Sequence, residues 1–134
     1  MNEGVRLPPY AETLGLRVED GDDGNGGAPV LLMPFADDVL GRPGFLHGGA
    51  ISGLLEMAAI VALDHALREE GGGRIKPVGV TVDFMRGGRD KPTRASGRVT
   101  RLGARVANVE ATAWQDEPDR QIASARMNYL IVRS

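Results

Sequence analysis

The sequence predicts an α+β fold in which one curved antiparallel sheet wraps a single long, buried helix. Three observations predict it. The one long helical segment, residues 50 to about 70, carries apolar side chains in nearly every direction around its axis, so it needs cover on most sides. A run of alternating segments separated by turn residues follows it, as antiparallel strands require. The strand faces are small: Ala107, Val109, Ala111 and Ala113 share one face, and Ala123 and Ala125 share another. Small side chains let a strongly curved sheet close around a helix.

In order, residues 9–14 read as a helical turn, 14–19 as a strand, 20–27 as an acidic loop and 29–35 as a second strand. A Gly/Pro-rich approach, 41–49, leads into the helix, which Gly71, Gly72 and Gly73 stop. From there the chain is strands. Val78, Val80, Val82 and Phe84 alternate with Gly79, Thr81, Asp83 and Met85, the period-two signature. Segments 95–102 and 105–114 meet at a hairpin turn, Gly103-Ala104. A turn at 116–120, containing Pro118, precedes the last strand, 121–132.

Length and composition narrow the function. The 134 residues suit one domain spanning 1–134, with 42% hydrophobic and 25% charged residues, as in ordinary globular proteins. With no cysteine there is no disulfide, thiolate metal site or cysteine nucleophile. The net charge of −2 exerts no general pull on nucleic acid. No apolar run of signal-peptide length opens the chain, and the longest, 57–63, falls far short of the roughly 20 residues that span a bilayer. The expectation is a cytoplasmic protein with no membrane or nucleic-acid partner.

Glu56 is the anomaly. It shares a helical stripe with Ser52, Ala59, Ile60 and Leu63, and no basic residue stands three or four positions away. A carboxylate on a buried helix costs several kcal/mol unless paired or protonated, and desolvation pushes its pKa up. Such groups cluster at active sites, although a polar partner on a strand, or a subunit interface, would also account for one. His47, Gly48 and Gly49 stand where the helix should be capped, with no Ser, Thr, Asp or Asn side chain to take the first N–H groups. Two glycines leave those amides approachable at the positive end of the helix dipole, as an oxyanion hole needs; a tight turn needing glycine freedom would use the same residues, and His47 alone could be structural.

Gly48 and Glu56 lie eight residues apart on one helix, so about 12 Å along its axis. A polarising N–H and a reacting carboxylate must both come within about 3 Å of one substrate group. One chain cannot supply both. Two helices related by a twofold axis can, each N-terminus facing the other's Glu56.

These residues carry a resemblance. The stretch 47–56, His-Gly-Gly-Ala-Ile-Ser-Gly-Leu-Leu-Glu, resembles the His-Gly-Gly signature of hotdog-fold acyl-CoA thioesterases of the phenylacetate-pathway type, in which an acid follows the His by nine residues. Segments 78–84, 101–105 and 122–129 also look like strands of that family, so the resemblance covers nearly the whole chain. It implies a hotdog fold and hydrolysis of acyl-CoA at the interface of a homodimer, itself paired into a homotetramer, with no cofactor and no metal. The Gly48 N–H would polarise the thioester carbonyl, with Gly49 beside it. Glu56 would act as nucleophile or general base, and His47 would lie near the thioester. Thr81 matches a position where some members use a hydroxyl to position water. One residue departs from the pattern: many members carry an Asn six residues before the His, and here that position is Gly41.

Seven basic residues between positions 86 and 105, against the single acid Asp90, form the one strong charge cluster. Solvated strand edges are the plain reading; capture of CoA phosphates by Arg86, Arg89, Lys91 or Arg101 is the functional one. Without interleaved aromatics the cluster does not suit a nucleic acid. Residues 20–27 imitate a calcium loop but put Gly24 and Gly27 at ligand positions and lack a closing Glu. Two other functions compete. A hotdog hydratase or dehydratase would need a His farther ahead of the acid, and position 42, where that spacing falls, is Arg. A non-catalytic acyl-CoA-binding module has no reason to keep a costly helix acid.

Overall fold

The computed structural model describes residues 6–19 and 28–134. They form a short helix α1 (Tyr10–Thr13), strands β1 (Arg17–Glu19) and β2 (Val30–Met33), a 3-10 turn (Asp37–Val39) and the long helix α2 (Gly48–Arg68). Strands β3 (Gly73–Phe84), β4 (Thr93–Leu102), β5 (Val106–Trp114) and β6 (Gln121–Arg133) complete the chain. The acidic loop and the rejected calcium loop, 20–27, lie outside the described residues.

Among the described residues six strands form one antiparallel sheet in the order β1-β2-β4-β5-β6-β3. Helix α2 lies mainly across β4 and β5. The small residues do what the sequence predicts. Ala111 pairs with Ala125 and Ala113 with Ala123, so both alanine stripes share the concave face, buried under the helix. At the tightest point a Cβ on Gly97 of β4 would meet the Ala58 carbonyl oxygen at 2.6 Å and the Ala62 Cβ at 2.9 Å. Only glycine lets strand and helix approach so closely. Leu54, Leu55 and Leu63 are wholly buried, and each such side chain stabilises the fold by about 1.5–3 kcal/mol. By length and composition α2 could cross a membrane, but here most of it is covered by the sheet.

Element boundaries moved where local chemistry overrode pattern. Helix α2 starts two residues earlier than predicted, at Gly48, because His47 supplies a cap. Strand β3 starts at Gly73 instead of Val78, directly after Gly71 and Gly72 turn the chain with φ of +99° and +85°. Pro77 is tolerated inside it because β3 is an edge strand and a register shift falls between Pro77 and Gly79.

Candidate active site

The 40–47 segment aims the start of α2. Leu40 bridges to Leu46, the Gly41 N–H donates to the Phe45 carbonyl, and the His47 N–H donates to the Val39 carbonyl. This hairpin explains Gly41. A Cβ there would lie 3.0 Å from the His47 Cα and 3.2 Å from its nitrogen. A larger residue at this position would need the His47 backbone to give by a few tenths of an ångström.

His47 caps the helix. Its backbone is extended (φ −69°, ψ 134°), and its Nδ1 accepts the Gly49 N–H at 2.8 Å. The sequence prediction of two bare amides is therefore corrected by one: the Gly49 N–H is occupied. Gly49 is glycine to admit the ring, since a Cβ there would meet His47 Nδ1 at 2.9 Å. The Gly48 N–H has no hydrogen-bond partner among the described residues. An Nδ1 that accepts carries no proton, so the neutral ring holds its proton on Nε2 as a free donor. Gly48 is exposed, beside Phe84 of β3, whose Cζ would lie 3.5 Å from a Cβ on Gly48.

Glu56 is half-buried, where the sequence predicted burial. With Ser52 and Ile60 it forms a row on the first half of α2 that the sheet leaves partly open, while Leu63 and Leu67 farther along are covered. No hydrogen bond or ion pair engages its carboxylate among the described residues. The wholly buried Tyr129 feels it: burial first, then the charge of Glu56, pushes the Tyr129 hydroxyl well above the usual phenol range. Gly48 and Glu56 belong to one unbroken helix, so the separation of about 12 Å stands.

The other predicted residues divide. A groove of about 330 Å³ opens at the helix start and contains Gly48, Ile51, Phe84 and Arg86. Arg89 does not line it but stacks on Phe45, which does. Lys91 is engaged with Asp116 at 2.6 Å, an ion pair that holds the Asp116 carboxyl below its ordinary range. Arg101 pairs with Asn108 on the convex face, eight residues along β4 from Thr93, so roughly 27 Å toward the opposite end of the sheet. Thr81 pairs with Arg126 and shares the convex face with Asn108 and Glu110. Strand alternation turns its hydroxyl away from α2, and it does not meet Glu56 within the chain.

The sequence reading missed Arg42, Phe45, Gly87 and Gly88. A Cβ on Gly87 would lie 2.8 Å from the Phe45 ring, and one on Gly88 would press on Leu46, Ile51 and Ile122. The triplet Arg86-Gly87-Gly88 was a visible signal of this close packing.

The profile of the thioesterase superfamily matches residues 43–122. No curated protein matches this chain. Among solved structures, a phenylacetic acid degradation-related protein of Ralstonia eutropha is 22% identical over 96% of this chain and 94% of its own, with a TM-score of 0.80. A protein of Chromobacterium violaceum is 30% identical over 92% of this chain and 83% of its own, with a TM-score of 0.72. A protein of Bacillus halodurans, solved with CoA, is 17% identical over 99% of this chain and 84% of its own, with a TM-score of 0.76.

Proposed function

This chain belongs to the thioesterase superfamily, with the hotdog fold, and from that premise we propose that it hydrolyses acyl-CoA thioesters at sites shared across a symmetric homodimer. One observation carries the proposal: among the described residues nothing engages the Gly48 N–H or the Glu56 carboxylate of α2, and the two are too far apart to serve one carbonyl within a chain. The Bacillus halodurans structure, which holds CoA on the same fold, supports CoA as the carrier.

In the proposed reaction the thioester carbonyl oxygen accepts the Gly48 N–H of one subunit, at the positive end of the helix. Glu56 of the other subunit approaches the carbonyl carbon. It either takes a proton from an attacking water or attacks directly, giving an anhydride that water then opens. On both routes negative charge grows on the oxygen facing Gly48 and the C–S bond breaks. When water attacks, the proton that Glu56 took from it passes to the sulfur and CoA leaves as its thiol; when Glu56 attacks, CoA leaves as the thiolate and takes its proton from solvent, and water then opens the anhydride to release the acid and restore the carboxylate. The Nε2–H of His47 would donate to the developing oxyanion or the departing sulfur. No cofactor or metal enters this scheme, and a cytoplasmic location belongs to the same proposal.

Edge strand β3 supports the dimer. Its free side exposes Val78, Val80 and Phe84, and antiparallel pairing of β3 with its copy would extend the sheet and cover them. On the convex face Val106, Leu130 and Val132 are exposed, which supports pairing of two dimers into a homotetramer. The test is steady-state thiol release from a panel of aliphatic and aromatic acyl-CoA esters, with size-exclusion chromatography and light scattering on the same sample. Turnover of at least one ester by a dimer or tetramer is expected. A monomer, or no turnover on any ester, would overturn the proposal.

A further inference from the structure

Phe45 carries two cations. The guanidinium carbons of Arg42 and Arg89 both lie 4.4 Å from its ring centroid. The ring cannot drift. Its backbone bridges to Arg89, its N–H donates to the Arg42 carbonyl, and Gly87 lets it lie against the main chain. Arg89 is fixed in turn by Gln115, which accepts its N–H at 3.0 Å and donates to its carbonyl at 2.8 Å. A guanidinium stacked on an aromatic face keeps its edge N–H groups free for a planar or tetrahedral anion.

The same groove that holds the Gly48 N–H is lined by Arg42, Phe45 and Arg86, and no acidic side chain lines it. Among the described residues none of Arg42, Arg86 and Arg89 has an ion-pair partner, whereas Lys91, Arg94, Arg98, Arg126 and Arg133 each have one. Three unneutralised guanidiniums gathered at the mouth of one groove repel each other, and a polyanion relieves that repulsion.

We propose that Arg42, Phe45 and Arg89, with Arg86 beside them, form the subsite for the phosphates of the CoA nucleotide, and that Lys91 and Arg101 take no part. The assignment rests on CoA being the carrier of the proposed reaction. Phe45 is a positioning residue, since one ring holds both guanidiniums, and the arginines make the contacts. The substrate would enter with its nucleotide on this rim and its thioester at Gly48, which lines the same groove.

The experiment compares one acyl group on two carriers, CoA and N-acetylcysteamine, which lacks phosphate. Arg42→Ala and Phe45→Leu should each lower the ratio of kcat/KM for the CoA ester over the N-acetylcysteamine ester at least about tenfold, through KM. Arg101→Ala should leave the ratio within about twofold of wild type. Phe45→Leu keeps the apolar bulk against Gly87, so the outcome does not turn on folding. If Arg42→Ala and Phe45→Leu both keep the wild-type ratio, the subsite is wrong while the hydrolase reading stands. If wild type turns over no CoA ester, the hydrolase reading fails, and calorimetric titration with CoA itself decides the subsite. Binding that Arg42→Ala weakens at least about tenfold supports it; equal binding by both proteins, or no binding by wild type, overturns it.

Discussion

His47 Nδ1 accepts the Gly49 N–H at 2.8 Å, and beside it the Gly48 N–H at the start of α2 has no acceptor among the described residues. A histidine cap divides two neighbouring amides between structure and chemistry. It fixes the helix start, turns its own Nε2–H outward, and exposes one donor at the positive helix end. A serine or aspartate cap would satisfy the helix but offer no second donor of this kind.

Glu56→Gln should leave the protein folded and lower kcat at least about 100-fold with KM little changed, because the carboxylate acts in bond-making and not in binding. Circular dichroism and steady-state kinetics on the best ester of the panel check both halves. Hydrolysis above about a tenth of wild type would remove Glu56 from the mechanism.

Substitutions at His47 separate capping from chemistry. His47→Ala should cost about 1 kcal/mol of stability, the usual worth of a helix cap, and also slow turnover. His47→Asn restores an acceptor for the Gly49 N–H, so it should recover most of the stability but not the activity that depends on the Nε2–H. Urea midpoints and kcat measured on both variants give the comparison. Equal activity in His47→Asn and wild type would leave His47 a cap alone.

The fold was legible because its signals were redundant. The all-round apolar helix, the alternation at Val78–Phe84 and the alanine stripes of β5 and β6 agree with one architecture, and the structure has it. Of the candidate site, the placement of Gly48 at the start of α2 and of Glu56 within it was legible, because each residue type stands out against the helix. It was less so where side-chain direction or partners decide. The sequence shows seven basic residues between positions 86 and 105 but not that Lys91 turns to Asp116, nor that strand alternation puts Arg101 on the convex face. Thr81 shows the same limit, since a family position does not reveal which face of an edge strand it takes. Arg42 and Phe45 are separated in sequence from Arg89 and meet it only through a long-range bridge.

Tyr129 makes a prediction at alkaline pH. Burial and the nearby Glu56 raise the hydroxyl's pKa in the folded state, while the unfolded chain titrates near 10. Above that value the unfolded state loses a proton that the folded state keeps, so stability falls as pH rises toward the folded pKa. The slope for one proton is about 1.4 kcal/mol per pH unit, and below about pH 9 the group contributes no pH dependence. Tyr129→Phe removes the proton at the cost of one weak hydrogen bond, from the hydroxyl to Met127 Sδ at 3.2 Å. Between about pH 9 and 11 wild type should lose about 1.4 kcal/mol more than the variant in urea unfolding. Equal losses would show that Tyr129 ionises as freely in the folded state as in the unfolded one.

The shared site is open to a complementation test. Glu56→Ala removes the acid. Gly48→Pro removes the polarising N–H, and the local geometry admits proline: Gly48 is the first helical residue, where proline is favoured. His47 before it already has the extended backbone (ψ 134°) that a following proline requires. Each homodimer should be inactive. If every site takes Gly48 from one subunit and Glu56 from the other, a mixed dimer has one site with both groups intact and one site with neither. Differently tagged chains, co-expressed and purified as the heterodimer, should recover up to about half of wild-type activity per dimer. A site built within one chain would leave every heterodimer inactive, because each chain brings its own defect. Gly48→Pro must still dimerise, which size-exclusion chromatography with light scattering checks. An inactive, verified heterodimer would therefore return both groups to a single chain and contradict the separation of about 12 Å from which the shared site was argued.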